Sequence, residues 1–304
     1  MNARLPRLAC AGLLAVLLAA CSNIPPSVPL IGARAEKPKP AALQANPNLI
    51  AVRQAWSARI GKVDFPLVVA VSGNVAAVAS SDGTVAGFDA TTGREQWRGN
   101  AKAALAAGVG FDGSTAAVIT RDNELVAFSS GREVWRQKLG ALSYTAPLVA
   151  GARVFVLGGD RSVSAFDGGT GRRLWTQQRT QDPLVLRQAG VILAVGDTLV
   201  VGQAGRLAGL NPLNGSVRWE TPIATARGIN EIERLVDLVG RVSRDGNSVC
   251  ARAFQAAVGC VDTAAGRVTW TQRANGSEGV HGDGTHVYGT ESDGRVVAWR
   301  RADG

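Results

Sequence analysis

Five tryptophans recur at nearly even spacing along most of this chain of 304 residues. They are separated by 38, 40, 44 and 51 residues. The five positions are Trp97, Trp135, Trp175, Trp219 and Trp270. Self-similarity with a period near forty residues is typical of repeat architectures, in which each repeat is one supersecondary unit. This repeat constrains the fold more strongly than any other feature of the chain.

The tryptophans end a short repeated phrase, in which Asp or Asn is followed by Gly four residues later and by Trp after four more. The complete copies are Asp89 to Trp97, Asp167 to Trp175, Asn211 to Trp219 and Asp262 to Trp270. The copy that ends at Trp135 keeps Gly131 but has a degenerate first half. Asp and Asn bond nearby backbone and Gly accepts a left-handed conformation, so the phrase predicts a tight turn. Tryptophan then supplies a large apolar surface at the start of the next strand.

Each phrase follows a second hairpin, of which Ser81 to Phe88 is an example. An apolar segment precedes the hairpin in each repeat, and Val154 to Leu157 is an example from a later repeat. Every unit therefore holds about four short strands, and no helical periodicity follows Ala20. Four strands per forty-residue unit predict an all-β fold, a β-propeller of four-stranded blades. A two-sheet sandwich is the alternative, but it does not explain a tryptophan phrase at a fixed phase.

The repeats give five complete blades and part of a sixth, and we predict an incomplete propeller over residues 48–304. Trp56 resembles the outermost strand of a blade whose inner strands are absent at the N-terminus. Val287 to Gly304 supplies inner strands and a turn at the other end. Because the first strand of a closed propeller commonly completes the last blade, either six blades close here or the chain is cut short.

Residues 1–20 have the features of a lipoprotein signal peptide. Two arginines precede an apolar run from Leu8 to Ala20, which is too short for a permanent membrane span. The run ends in Leu-Ala-Ala-Cys21, which resembles the bacterial lipoprotein box and implies a lipid on Cys21. The alternative is an ordinary secretory signal with an accidental cysteine.

Residues 21–47 are rich in proline, which predicts an extended spacer between a lipidated Cys21 and the propeller. The residue after the cysteine is Ser22 and not Asp, which resembles the sorting rule for delivery to the outer membrane.

Two cysteines, Cys250 and Cys260, remain in the predicted mature domain, and they flank a turn at 254–257. Residues placed evenly about a hairpin turn lie opposite or diagonal to each other, and the periplasm permits disulfides. A disulfide and two buried free thiols are both compatible with this spacing.

The net charge of +9 could favour nucleic acid, anionic lipid or an acidic partner. Export argues against nucleic acid. The positive residues are also scattered along the sequence, which is typical of a solvated surface.

The lipoprotein box, the proline-rich spacer and the tryptophan blades together resemble the BamB family, lipoproteins of the outer-membrane β-barrel assembly machinery. The resemblance implies a non-catalytic scaffold that aids assembly and insertion of β-barrel proteins, anchored by lipid at the periplasmic side of the outer membrane. It implies as partners BamA, through its POTRA domains, other members of the Bam complex, and nascent outer-membrane proteins. The family's propeller has eight blades, so we expect this chain to lack about two C-terminal ones.

Two segments carry the resemblance further. Asp182-Pro-Leu184-Val-Leu186-Arg187 resembles the family's Leu-x-Leu-Arg connector, which contacts BamA. Residues 230–237 resemble a second partner-facing connector, in which Asp237 matches an acidic position while Val239 stands where the family has a second acid. The resemblance implies partner-binding roles for Leu184, Leu186, Arg187 and Asp237.

The spacing of the tryptophans supports these assignments independently. The intervals of 44 and 51 residues are consecutive, and each excess falls after a tryptophan strand and before the next blade. Insertions at one topological position in neighbouring blades lie side by side, and such insertions often mark the binding face. If extended, Leu184 and Leu186 lie on one side of the connector; the alternative is that both pack into the blade edge.

Quinone-dependent dehydrogenases share the blade phrase, so an enzyme of that type is the competing prediction, alongside another periplasmic binding propeller. The chain has no adjacent cysteine pair of the kind those enzymes typically contain. A Gly-x-Gly-x-x-Gly pattern at 108–113 precedes an apparent strand, not the helix that dinucleotide binding requires. His281 and His286 with Asp283 fit a strand, turn and strand better than a metal site. We predict no catalytic residues, no cofactor and no metal.

Overall fold

The computed structural model describes residues 51–178, 185–225 and 236–304. The predicted signal peptide at 1–20, Cys21 and the linker at 21–47 lie outside the described residues, as does Leu184. Within them the fold is all-β, with five four-stranded sheets and one three-stranded sheet, each an antiparallel meander in chain order. We refer to these sheets as blades 1 to 6.

Blades 1 to 3 take up the first half of the described chain. Blade 1 contains β1 Ala70–Ser72, β2 Val75–Ala79, β3 Thr84–Asp89 and β4 Glu95–Asn100. Blade 2 contains β5 Gly110–Phe111, β6 Thr115–Ile119, β7 Glu124–Ser129 and β8 Arg132–Lys138. Blade 3 contains β9 Leu148–Ala150, β10 Arg153–Leu157, β11 Val163–Asp167 and β12 Arg173–Gln177.

Blades 4 to 6 follow the same plan, except that the last has three strands. Blade 4 contains β13 Ile192–Val195, β14 Thr198–Gln203, β15 Arg206–Leu210 and β16 Val217–Pro222. Blade 5 contains β17 Leu238–Asp245, β18 Ser248–Ala253, β19 Ala257–Asp262 and β20 Arg267–Arg273. Blade 6 contains β21 His281–Gly282, β22 His286–Thr290 and β23 Val296–Arg300.

The first strands of blades 1 to 5 converge on one cavity of about 270 Å³. Each of these strands contributes an apolar residue to its wall: Ala70, Phe111, Val149, Ile192 and Val242. Sheets whose first strands meet at one cavity are arranged radially about it. The predicted β-propeller with five complete blades and a partial sixth is therefore confirmed.

The apolar core lies between the blades. One cluster joins blades 1 and 2, with Val85 from the first and Phe128 from the second. Another joins blades 5 and 6, with Val258 from the first and Trp299 from the second. Burial of a side chain of this size stabilises the fold by about 1.5–3 kcal/mol. The second strands of blades 1 to 4 are covered on both faces, and each therefore consists mainly of a buried apolar run.

The repeated phrase joins neighbouring blades. The indole N–H of Trp135, in blade 2, donates to the carbonyl of Gly168 in blade 3 at 2.8 Å. Gly171 in blade 3 has a φ of +72°, and a Cβ atom there would lie 2.6 Å from the ring of Trp135. The phrase therefore needs glycine for two reasons, a left-handed turn and room for the preceding blade's tryptophan.

The same contact recurs around the propeller, with an indole N–H bonded to the phrase turn and a ring over its glycine. The other pairs are Trp56 with Ala90 and Gly93, Trp175 with Pro212 and Gly215, and Trp270 with Arg301 and Gly304. Blade 6 thus carries the phrase turn at its end, in which Arg300 takes the place of Asp.

The prediction of a strand at Trp56 is wrong, although the position of its side chain resembles that of a preceding blade's tryptophan. Residues 51–69 form no strand, because no neighbouring strand pairs with them among the described residues. The outer edge of β23 also has no partner strand in the described part of the chain. The N-terminal segment therefore does not close a sixth blade.

Candidate partner-binding surface

The blades have two different ends. At one end the turn between the second and third strands of a blade lies beside the segment that connects it to the next blade. In blade 1, for example, Ala101 N–H donates to Gly83 O at 2.9 Å and Leu105 N–H to Ser81 O at 3.1 Å. We call this the connector end. The opposite end, the phrase end, holds the turn with the repeated phrase.

The two longest connectors are neighbours at the connector end. The segments 178–191 and 223–237, which follow β12 and β16, have 14 and 15 residues. The other three, at 101–109, 139–147 and 274–280, have seven to nine residues. This confirms the prediction that both insertions follow a tryptophan strand in consecutive blades. We refer to 178–191 as connector A and to 223–237 as connector B.

Asp237 holds the two long connectors together. One carboxylate oxygen, Oδ2, accepts a hydrogen bond from the backbone N–H of Leu186 in connector A at 2.8 Å. The other, Oδ1, accepts one from Nη2 of Arg161 at 3.1 Å. The side chains of Arg161 and Asp237 are only 10% and 15% exposed. Charged hydrogen bonds of this kind are stronger than neutral ones, so the carboxylate joins both connectors to blade 3.

Backbone hydrogen bonds fix the roots of the same connectors. Gly240 N–H, just past connector B, donates to Ala189 O in connector A at 2.8 Å. Gly190 N–H donates to Oγ1 of Thr145 in the preceding connector at 2.8 Å. The described parts of connectors A and B are therefore held at defined positions on the propeller.

The predicted partner-binding residues lie in different environments. Leu186 is half-buried and lines a cavity of about 50 Å³ together with Tyr144, Arg161 and Asp237. Arg187 is exposed. Asp237 is partly buried and its carboxylate is used within the chain. Among the described residues, Arg187 is therefore accessible at this surface and Leu186 is only partly so, while the partner-binding roles of all four residues remain predictions.

Arg161 is a residue of this surface that the sequence interpretation missed. It lies in the turn between β10 and β11, at a φ of +62°. Gly83 and Asn123 occupy the matching place in blades 1 and 2, also with positive φ. Gly and Asn tolerate that conformation and Arg does so less readily. The sequence signal that could have found it is an arginine where blades 1 and 2 have Gly and Asn.

Cys250 and Cys260 lie directly opposite each other on β18 and β19 and are joined by a disulfide. Both are fully buried in the apolar cluster between blades 5 and 6. Nη1 of Arg301, in the turn at the end of blade 6, lies 3.3 Å from Sγ of Cys250. The disulfide is thus part of the blade core, away from connectors A and B.

The two segments weighed as a dinucleotide site and a metal site form β-hairpins. Asp283 accepts hydrogen bonds from the backbone N–H groups of Thr285 and His286 at 2.7 and 2.8 Å, and from the Thr285 hydroxyl. These donors, the hydroxyl first, hold the pKa of Asp283 well below its ordinary value. The glycine pattern at 108–113 leads into the strand β6, not into a helix. Asp283 therefore serves to stabilise the turn between β21 and β22.

The described residues contain neither a metal-binding cluster nor a helix that could span a membrane. No group of three or more His, Cys, Asp or Glu side chains there could hold a metal ion. No helix in that part of the chain has the length and apolar character needed to cross a membrane.

Solved structures resemble this chain over most of its length. The crystal structure of BamB from Moraxella catarrhalis superposes with a TM-score of 0.71 at 25% identity, covering 79% of this chain and 74% of that one. A quinohemoprotein alcohol dehydrogenase from Pseudomonas putida HK5 superposes with a TM-score of 0.51 at 15% identity, covering 70% of this chain and 43% of that one. The second likeness shows the fold alone.

Two relatives found by sequence have higher identity to this chain than these two structures. The outer membrane protein assembly factor BamB of Bordetella pertussis is 35% identical over 265 residues, which are 86% of this chain and 69% of that protein. The factor of the same name in Burkholderia pseudomallei is 33% identical and matches 83% of this chain and 68% of its own length. The family model described as outer membrane protein assembly factor BamB matches residues 81–304. With these repeats, this propeller and these matches, the chain belongs to the BamB family.

Proposed function

We propose that this chain is a non-catalytic scaffold in the assembly of outer-membrane β-barrel proteins, and that connectors A and B form its binding surface for BamA. The family's name describes outer membrane protein assembly, which connects the chain with the outer membrane and the periplasm. The finer partners, namely the POTRA domains of BamA, other Bam members and nascent outer-membrane proteins, are part of the proposal.

One observation carries the assignment to this surface. The described ends of the two longest connectors lie side by side, and Asp237 bonds both Leu186 in connector A and Arg161 in blade 3. The described roots of these connectors are held in place before a partner binds, which reduces the ordering cost of binding there. It presents the exposed Arg187 next to the half-buried Leu186, and Arg and apolar anchors of this kind are common at protein interfaces.

We also propose that the chain is held at the periplasmic side of the outer membrane by a lipid on Cys21. The support is the lipoprotein box at Cys21 and the family's association with outer-membrane assembly. Substitution Cys21→Ser is expected to abolish labelling with radioactive palmitate and to move the chain from the membrane to the soluble fraction. Retention of palmitate label by the variant would contradict the proposed lipid site.

The binding surface is tested with the full chain, purified from membranes in detergent, and the periplasmic POTRA domains of BamA from the same bacterium. We expect saturable binding, and a loss of at least about tenfold in affinity for Leu186→Ala and for Arg187→Ala. Arg187 is exposed, so its substitution should leave the free energy of unfolding within about 0.5 kcal/mol of the wild type.

The matched control is Arg132→Ala, which removes another exposed arginine, on β8 of blade 2. This variant should bind the POTRA domains as the wild type does. Equal affinity for all three variants and the wild type would refute the assignment of connectors A and B.

A further inference from the structure

We infer that Arg161 is a positioning residue of the binding surface: through Asp237 it sets the conformation of connector A at Leu186 without touching the partner. The inference rests on the proposed function for its effect on binding. Its effect on connector A can be measured in the isolated chain.

The position of Arg161 is fixed by backbone contacts within the propeller. Its N–H donates to Gly158 O at 3.0 Å, which closes the turn between β10 and β11. Its carbonyl accepts a hydrogen bond from Nε2 of Gln203, in blade 4, at 3.0 Å. The residue is 9% exposed. On such a fixed backbone, the buried guanidinium holds its Nη2 donor at a defined place beside Asp237.

The carboxylate of Asp237 couples the position of Arg161 to that of connector A. Its backbone is itself anchored, because its carbonyl accepts the N–H of Phe254 in blade 5 at 2.9 Å. With Oδ1 bonded to Arg161, the planar carboxylate presents Oδ2 to the N–H of Leu186. The orientation of the Leu186 peptide, which precedes Arg187, is therefore set by groups from blade 3 and blade 5.

The chemistry of the pair explains why arginine occupies this turn. Arg presents several N–H donors in a rigid plane, whereas Lys is a flexible point charge. Removal of Arg161 leaves Asp237 as a partly buried carboxylate without its cation, which is strongly unfavourable. The carboxylate then turns toward water, and the N–H of Leu186 loses its acceptor.

A second buried ion pair provides a matched control in the same molecule. Arg252, fully buried in blade 5, donates to Glu291 at 3.0 Å, and the other oxygen of Glu291 accepts the N–H of Asn275. Asn275 belongs to the short connector 274–280 and lies outside connectors A and B. Loss of this pair destabilises the fold by the same chemistry but does not act on Leu186.

The experiment compares Arg161→Ala, Arg161→Lys and Arg252→Ala in the full chain. Hydrogen exchange of the Leu186 amide is measured without partner, and affinity for the BamA POTRA domains is measured separately. We expect Arg161→Ala to speed exchange at Leu186 and to weaken binding, each by at least about tenfold. Arg161→Lys should restore only part of both, and Arg252→Ala should change neither while lowering the urea midpoint.

A double variant tests the route through Asp237. The Leu186 amide of the double variant Arg161→Ala, Asp237→Asn should exchange no faster than that of the faster-exchanging single variant. The reason is that both substitutions act on the same contact to Leu186. If Arg161→Ala lowers the urea midpoint but leaves Leu186 exchange unchanged, the positioning role is overturned. If the wild type does not bind the POTRA domains, the proposed function fails, while the exchange result still decides the role of Arg161.

Discussion

The two ends of the propeller are built by different means. At the phrase end the same turn recurs, and each turn is closed by bonds between residues a few positions apart, as when Asp167 accepts the N–H of Thr170 at 2.8 Å. At the connector end the segments differ in length, and their organisation depends on residues far apart in sequence. Arg161 and Asp237 are separated by 76 residues, and Asp237 and Leu186 by 51.

This difference indicates a division of roles. The phrase end also holds the tryptophan contacts between blades, so substitutions there should reduce the stability of the whole propeller. The connector end varies in length without disturbing the sheets, as is usual for segments that carry binding residues. Its substitutions should change partner affinity more than stability.

The largest expected effect on the free energy of unfolding comes from replacing a glycine by valine at the phrase end, compared with the same replacement at the connector end. Gly171→Val, at the phrase end, forces a β-branched residue into a left-handed turn and into the ring of Trp135, which would lie 2.6 Å from the new Cβ. We expect a loss of about 2–5 kcal/mol in the free energy of unfolding, measured in urea.

The control is Gly140→Val in the connector 139–147, where a Cβ would meet nothing within 4 Å. That variant should unfold within about 0.5 kcal/mol of the wild type. Equal losses at the two positions would remove the contrast between the ends.

A covalent link in blade 5 provides the next largest effect. The disulfide between Cys250 and Cys260 closes a loop with a sequence separation of 10. Substitution of both cysteines by Ala should lower the free energy of unfolding by about 2–3 kcal/mol. Dithiothreitol should lower the urea midpoint of the wild type and not that of the double variant. An unchanged wild-type midpoint in reductant would show that the phrase turn and sheet pairing suffice in this blade.

A smaller effect tests the indole hydrogen bond of the phrase contact. Trp135→Phe removes the N–H that donates to Gly168 O, whereas Trp97, with its ring also on an outermost strand, has no such bond in the described structure. Trp135→Phe should therefore cost about 1 kcal/mol more than Trp97→Phe in chemical unfolding. Similar losses for both would mean that ring packing alone joins the blades.

The smallest effect concerns the acid at the start of the phrase. The hydroxyl and N–H of Thr170 are the main donors that lower the pKa of Asp167. The ionised carboxylate of Asp167 therefore contributes its full stabilisation above the unfolded-state pKa, near 4. This stabilisation is lost as the pH falls through the pKa of Asp167 in the folded state. Asp167→Asn should change the urea midpoint little at pH 7, since Asn211 closes the same turn in blade 4.

Between pH 5 and pH 3 the midpoint of the wild type should then fall more steeply than that of Asp167→Asn. Parallel slopes would indicate that the carboxylate of Asp167 adds no pH dependence to the phrase end.

The sequence predicted the phrase end better than the connector end. The turn at Asp167 to Gly171 was predicted because Asp and Gly act on their own neighbours. The strand predicted after the glycine pattern at 108–113 is observed as β6 Thr115–Ile119. The segment at Trp56 was predicted as a strand and is not one, because a strand needs a partner and sequence alone does not supply it. Arg161 was missed because its turn gives no indication of the carboxylate it meets.

Turn chemistry and apolar runs are local and repeat with one period, so the amino-acid sequence is enough to predict four-stranded blades arranged radially. The pairing of each tryptophan with its glycine, and the meeting of Arg161, Leu186 and Asp237, become visible in the folded propeller alone. Those contacts join residues from different blades, and their energies depend on burial and direction, which exist only once the blades have packed.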